Sequence, residues 1–288
     1  MAGANYSGSK SYNQLSGTNV NRCDGCGSTP LNTSFGGIDL VRNLNYSTYN
    51  AMIFSLRGRL SDSLSFQSSY TLSHAKSNIE SGTRFDQDAG QNIPDLSLYS
   101  SYYADANYDV RNRFSLSGMY TLPGLKSGVG KVITSGWEVT SIAVAQSGTP
   151  YWVICSGSAA CDYNNDGLFY DIPNTPSASL GGSHSRQQFK SGIFTVADFP
   201  VPTGAEGNLA RNSYRNPGYL QVDASVLKNN HLPWLGEAGN FQLRFDFLNL
   251  FNRANLGAVN NNLAASGFGQ VTSALSGRQI QLGAKILF

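Results

Sequence analysis

The sequence predicts an all-β fold: an antiparallel transmembrane β-barrel segment of about seven or eight strands with long extracellular loops. Three observations predict it. Apolar and polar residues alternate with period two in runs of about ten. The polar face is Ser, Gln, Thr and Asn rather than the Lys and Glu of a water-facing sheet, and the connections alternate between short and long.

Taken in order, the first strand places Met52, Phe54, Leu56 and Leu60 on one face and Ser55, Arg57 and Arg59 on the other. In the second, Leu64, Phe66, Tyr70 and Leu72 alternate with Ser65, Gln67, Ser69, Thr71 and Ser73. The third alternates Phe114, Leu116, Gly118, Tyr120 and Leu122 with Arg113, Ser115, Ser117 and Thr121. Residues 132–148 read as a longer, less regular strand. The fifth sets Leu220, Val222, Ala224 and Val226 against Gln221, Asp223 and Ser225, and the sixth Phe241, Leu243, Phe245 and Phe247 against Gln242, Arg244 and Asp246. The last runs through Ile280, Leu282, Ala284, Ile286 and Phe288.

Connections at 61–63, 123–131 and 230–238 are short; those at 79–109, 151–216 and 253–277 are long. Outer-membrane barrels have short periplasmic turns and long outside loops, so this parity puts Phe288 at the periplasmic end. Tyr70, Tyr120, Trp137 and Tyr219 are candidates for the aromatic girdles. Bacterial barrels have even strand numbers, so at least one strand is unseen. Residues 35–41 are a candidate for it. The expected organisation is an extracellular loop region with that short strand over 1–45, then barrel strands over 46–288.

Composition removes other classes. Lys and Arg total 20 against 18 Asp and Glu, a formal charge of +2, which argues against nucleic acid as a partner. Charged residues are 13% of the 288, half the usual share of about 25%. No apolar run approaches the roughly 18 residues of a membrane helix. The first 25 residues lack the basic and apolar regions of a secretory signal, so the expectation is a piece of a longer protein.

Several segments together resemble the C-terminal barrel of TonB-dependent outer-membrane receptors of the Oar-like, carboxypeptidase-regulatory-domain-containing group. They are Leu64-Ser-Phe-Gln-Ser-Ser-Tyr-Thr-Leu-Ser-His74, Tyr108-Asp-Val-Arg-Asn-Arg-Phe114 with Leu122-Pro123, and Gly136-Trp137 followed by Gln146-Ser-Gly-Thr-Pro150. Gly207-Asn-Leu-Ala-Arg-Asn-Ser213, Phe247-Leu-Asn-Leu-Phe-Asn252 and Arg278-Gln-Ile-Gln-Leu-Gly-Ala-Lys-Ile-Leu-Phe288 follow. The resemblance implies a barrel of about 22 strands closed around a plug, and import of a bulky nutrient powered by the TonB complex through that plug. It implies outer-membrane lipid as surroundings, the outer membrane of a Gram-negative bacterium as location, and no enzymatic activity. Ile280, Leu282, Ile286 and Phe288 resemble the terminal signal read by the barrel-assembly machinery.

Smaller constellations carry further expectations. Cys23 with Cys26 and Cys155 with Cys161 are spaced for two disulfides, with zinc as the competing reading of the first pair. Asp162, Asn164, Asp166 and Asp171 group hard oxygen ligands around Gly167 as a calcium loop would, but the twelfth position is Pro173; a solvated Asn/Asp turn is the competing reading. No other cofactor is expected. The segment 124–131 has the wrong spacing for a phosphate loop, and His74, His184 and His231 are dispersed without a catalytic signature.

Tyr99, Tyr102, Tyr103, Tyr151, Trp152, Tyr163, Phe169 and Tyr170 lie in outside loops, to pack them, to sit at the lipid interface or to stack on a ligand. Arg57, Arg59, Gln67, Arg113, Glu138, Gln242, Arg244 and Asp246 are the lumen-facing set by alternation. The rival readings are a standalone small barrel with a structural or adhesion role and a secreted β-sandwich that binds ligand.

Overall fold

The computed structural model describes residues 1–23, 25–27, 29–78, 102–125, 127–236 and 239–288. Among them, eight long strands form one antiparallel meander: β1 (Ala2–Asn19), β2 (Asp39–Ser61), β3 (Leu64–Ser77), β4 (Asn112–Thr121), β5 (Trp137–Gln146), β6 (Tyr219–His231), β7 (Asn240–Leu248) and β8 (Gln279–Leu287). Each pairs with its sequence neighbour. Among the described residues β1 and β8 do not pair with each other, so these strands make an open stretch of barrel wall.

The register explains the alternation. Phe54 stands opposite Tyr70, Tyr70 opposite Phe114 and Phe114 opposite Ala145, all on one face. Farther along, Val226 faces Phe245 and Phe245 faces Leu282. Met52, Phe54, Leu56, Leu72, Leu116, Leu282 and Ile286 on this face are exposed, which is stable only against lipid. One row over, Arg57 faces Gln67 and Gln67 faces Ser117.

Three expectations need correction. β1 lies where a loop region was expected; its outward positions run Ala2, Ala4, Tyr6, Gly8 and Lys10, too weakly apolar to announce a strand. Only the ladder to β2, from Ala2 opposite Leu56 to Asn19 opposite Asp39, makes it one. The candidate at 35–41 is not a strand of its own: 35–38 are irregular and 39–41 form the start of β2. β2 is 23 residues long, about twice what a tilted strand needs to cross a bilayer, so the β1–β2 hairpin extends past the membrane.

The third correction concerns 132–148. Its first residues belong to a short helix, α1 (Val129–Thr134), and the strand begins only at Trp137. Thr134 Oγ1 donates to the Gly130 carbonyl and accepts from Leu125 N–H, closing the turn on itself. Gly136, at φ 77°, then breaks the helix direction.

The hydrophobic core lies in the long loops rather than in the sheet. Tyr151, Trp152, Val153, Phe189, Phe194, Phe199, Leu209 and Tyr214 bury with Val259, Leu263, Phe268 and Val271, and Tyr102 joins them. Ring centroids of Phe194, Phe199, Tyr214 and Phe268 are 4.6–6.4 Å apart, each contact adding about 0.5–1.5 kcal/mol to area burial. These loops fold into a cap. Within it α2 (Arg186–Ser191) opens on a capping box, Ser185 Oγ accepting from Gln188 N–H and Gln188 Oε1 from Ser185 N–H.

Gly148 shows how closely the cap meets the wall. A Cβ there would stand 1.7 Å from the Asn216 carbonyl oxygen, a backbone atom held by the Asn216 N–H to Thr149 O bond of 2.9 Å. Gly148→Ala is therefore expected to destabilise the assembled protein by at least about 1–3 kcal/mol, read as a lower urea midpoint in detergent micelles. An unchanged midpoint would contradict this packing.

Candidate functional site

The polar face of the sheet is a shallow hollow of about 670 Å³ lined by Arg57, Arg59, Gln67, Ser117, Thr140 and Asp223 among others. By register all eight residues of the expected lumen set lie on this face. They do not converge on one point. Arg113 donates to Gln146 Oε1 at 2.8 Å, Gln242 to Asn229 Oδ1 at 2.9 Å, and Arg244 to both Asp246 oxygens at 2.8 Å. Glu138 stands between Thr121 and Leu227 in the ladder. These pairs line a wet wall and bring no reacting groups together.

A denser site lies at the outer end of the wall. Asp109, whose side chain is fully buried, accepts the Ala75 N–H at 2.7 Å and pairs with Arg215 Nη2 at 2.7 Å. The same Arg215 nitrogen reaches Asp105 Oδ2 at 2.6 Å, and His74 Nε2 meets Asp105 Oδ1 at 2.6 Å. Burial alone would raise the Asp105 carboxyl, but the hydrogen bonds and charges of His74 and Arg215 outweigh it and hold the group below its ordinary value. Asn212 Nδ2 donates to Asp105 O at 2.7 Å, and Arg211 donates to the carbonyls of Tyr102 and Ser77.

This clasp ties the ends of β3 and β4 to the long loop before β6. It was not foreseen as a site. His74, Asp109, Arg211 and Asn212 fall in segments that carried the family resemblance, Leu64–His74, Tyr108–Phe114 and Gly207–Ser213, whereas Asp105 and Arg215 lie just outside them.

The turn at Asp162–Gly167 commits its carboxylates to the chain itself. Asp162 accepts the N–H groups of Asp166 and Gly167 at 2.8 and 3.0 Å, Asp166 accepts Leu168 N–H and pairs with Arg22 at 3.0 Å, and Asp171 accepts Tyr163 and Asn164 N–H. Among the described residues no three acidic, His or Cys side chains are grouped to hold a metal. Asp162, Asp166 and Asp171 thus hold the turn together through hydrogen bonds and an ion pair, with Asn164 buried among them.

Cys23–Cys26 and Cys155–Cys161 are both disulfide-bonded. The first ring rests on this turn, with Gly25 and Gly27 N–H donating to the Asn164 and Asn165 carbonyls at 2.7 Å. Of the outside aromatics, Tyr102, Tyr151, Trp152 and Tyr163 are in the cap core, Tyr103 stacks on Tyr46 at 4.7 Å, Tyr170 is half-buried, and Phe169 is exposed. Tyr99 lies outside the described residues.

Beside the turn, Glu206 and Asp171 share a hydrogen bond. Burial first, then the hydrogen bond and charge of Asp171, push the Glu206 carboxyl up to about 9; Asp171 is raised chiefly by burial. A carboxyl raised on folding holds its proton in the folded state where the unfolded chain has lost it. The stabilisation is complete below the unfolded value of 4.5 and declines as pH rises towards about 9. The cap is therefore expected to loosen between pH 5 and 9, measured as faster proteolysis within 160–210, corrected for protease activity. Glu206→Gln, which stays neutral, should flatten the profile; an identical slope in the variant would refute the assignment.

An open meander with a lipid-facing apolar side, a hydrated inner side and capped outer loops defines an outer-membrane β-barrel. Residues 1–281 match the family described as outer membrane beta barrel domain, and the chain belongs to that family. Its place is the outer membrane of a Gram-negative bacterium. Among solved structures the chain is similar to the outer membrane transporter YddB from Escherichia coli, at 15% identity and a TM-score of 0.53 over 98% of this chain. It spans 29% of that structure's length, and the likeness is one of fold. No curated protein matches.

Proposed function

We propose that this chain is the C-terminal wall and outer cap of a TonB-dependent receptor of the Oar-like group, importing a bulky nutrient into the periplasm. The observation that carries this reading is the open sheet: among the described residues, eight strands with a free edge at either side and a polar inner face too shallow to enclose a ligand. Further strands would close it, and a plug would occupy the face that bears Arg57, Gln67 and Arg113. TonB would act through that plug. Ile280, Leu282 and Ile286, which share the lipid face of β8, would present the signal to the barrel-assembly machinery together with Phe288 just past the strand's end.

The likeness in fold to a transporter supports transport over an adhesive role. The deciding experiment reads the frame upstream of the Met1 codon and then labels Ser117→Cys in the intact protein. Further alternating strands, a plug and a TonB box are expected, with the introduced thiol shielded from impermeant reagents until the plug is removed. A stop codon directly upstream, followed by a monomer that assembles alone, would overturn the receptor reading.

A further inference from the structure

A second recess, about 420 Å³, lies on the opposite, lipid side of the wall near the outer ends of β4, β5 and β6. Its floor is Tyr70, Phe114 and Ala145, all on the apolar face by register. Its roof is the cap: His184, Arg186 and Phe189 from the start of α2, and Arg253 with Leu256 from the last long loop. The recess therefore stands where acyl chains give way to headgroups.

Its charge is one-sided. Arg186 and Arg253 line it with His184, and none of its lining residues is Asp or Glu. Arg186 Nη2 donates only to a backbone carbonyl, Ala254 O, at 2.5 Å, which brings it beside Arg253. Arg253 Nε is buried and has no hydrogen-bond partner among the described residues. Several other arginines of the cap and wall meet carboxylates: Arg22 with Asp166, Arg215 with Asp105 and Asp109, Arg244 with Asp246. Two guanidiniums left without anions among the described residues, above an aromatic floor, call for a ligand with an anionic head and a hydrocarbon tail. His184, held edge-on to Phe189 and Phe194 at 5.6 and 6.3 Å, adds a ring nitrogen to the polar rim.

We propose that this recess binds a phosphorylated glycolipid of the outer leaflet, of the lipid A class, with phosphate at Arg186 and Arg253 and an acyl chain along Tyr70, Phe114 and Ala145. Phosphate matches the guanidinium fork, and the volume accommodates one phosphorylated sugar. A lipid seated there would brace the cap against the wall. The inference rests on the outer-membrane location alone, so it stands or falls independently of TonB.

The test uses the complete polypeptide purified from outer membranes in mild detergent and placed in phosphatidylethanolamine nanodiscs. Native mass spectrometry with added lipid A is expected to show one tightly held lipid per chain. Arg186→Ala with Arg253→Ala should lower its retention at least tenfold, and the paired Lys variants should restore a large part. Dephosphorylated lipid A should not bind, and glucose 1-phosphate should not compete. Equal retention by the Ala double variant would overturn the proposal, and full competition by glucose 1-phosphate would identify a soluble sugar-phosphate site instead. Should the Ala variant not assemble, a benzophenone side chain at position 114 in the otherwise unchanged protein should crosslink to lipid A; absence of that adduct would be equally decisive against it.

Discussion

Asp109→Ala is expected to cost about 3–5 kcal/mol, the penalty of breaking a buried ion pair from one side. The carboxylate has no exposure and holds both the Ala75 N–H and Arg215. Removing it leaves a buried donor unmet and the Arg215 guanidinium with Asp105 as its one carboxylate, itself shared with His74. The loss should appear in the cap first, because the strands keep their own ladders. Limited proteolysis should cut within 150–216 while the apolar wall stays protected. Asp109→Asn should lie between the two, retaining an oxygen for Ala75 but not the charge. If Asp109→Ala left cap proteolysis unchanged, the clasp would not be holding the cap to the wall.

The second large effect belongs to the lipid face. Phe245 and Leu282 are cross-strand partners near the middle of β7 and β8, and Leu282 is 72% exposed. A Lys at either position places a charge in hydrocarbon, at about 2–4 kcal/mol near the midplane. Phe245→Lys or Leu282→Lys should therefore depress assembly into lipid vesicles, scored by heat-modifiable migration and the denaturant midpoint. The control is Gln242→Lys, three residues from Phe245 and on the wet face, which should assemble normally. Equal tolerance at all three positions would mean that the face is not in lipid.

The contrast between these sites shows what could be read from the sequence. Leu282 and Phe245 were legible because a strand repeats every two residues, so membership of a face follows from the chain's own neighbours. The same arithmetic placed Arg57, Gln67, Arg113 and Arg244 on the other face. It failed for β1, where Gly, Ala, Ser and Asn carry little alternation, and for 132–134, where the end of a helix stands in for the start of the expected strand.

The clasp was hidden for another reason. Arg215 and Asp105 are 110 positions apart, and nothing local to either marks the other as a partner. Asp162, Asn164, Asp166 and Asp171 have the spacing of a calcium loop, and the fold turns the three carboxylates onto backbone N–H groups and Arg22.

By itself, then, the sequence determined the solvent of the faces of the alternating strands, though not of β1, because lipid and water select residue types position by position along a strand. Only the tertiary structure decided that the loops bury a common core, that Asp109 and Arg215 clasp the cap to the wall, and that Arg186 and Arg253 overhang the lipid face with no anion beside them among the described residues. Those outcomes depend on contacts between segments far apart in the chain, and no periodicity records them.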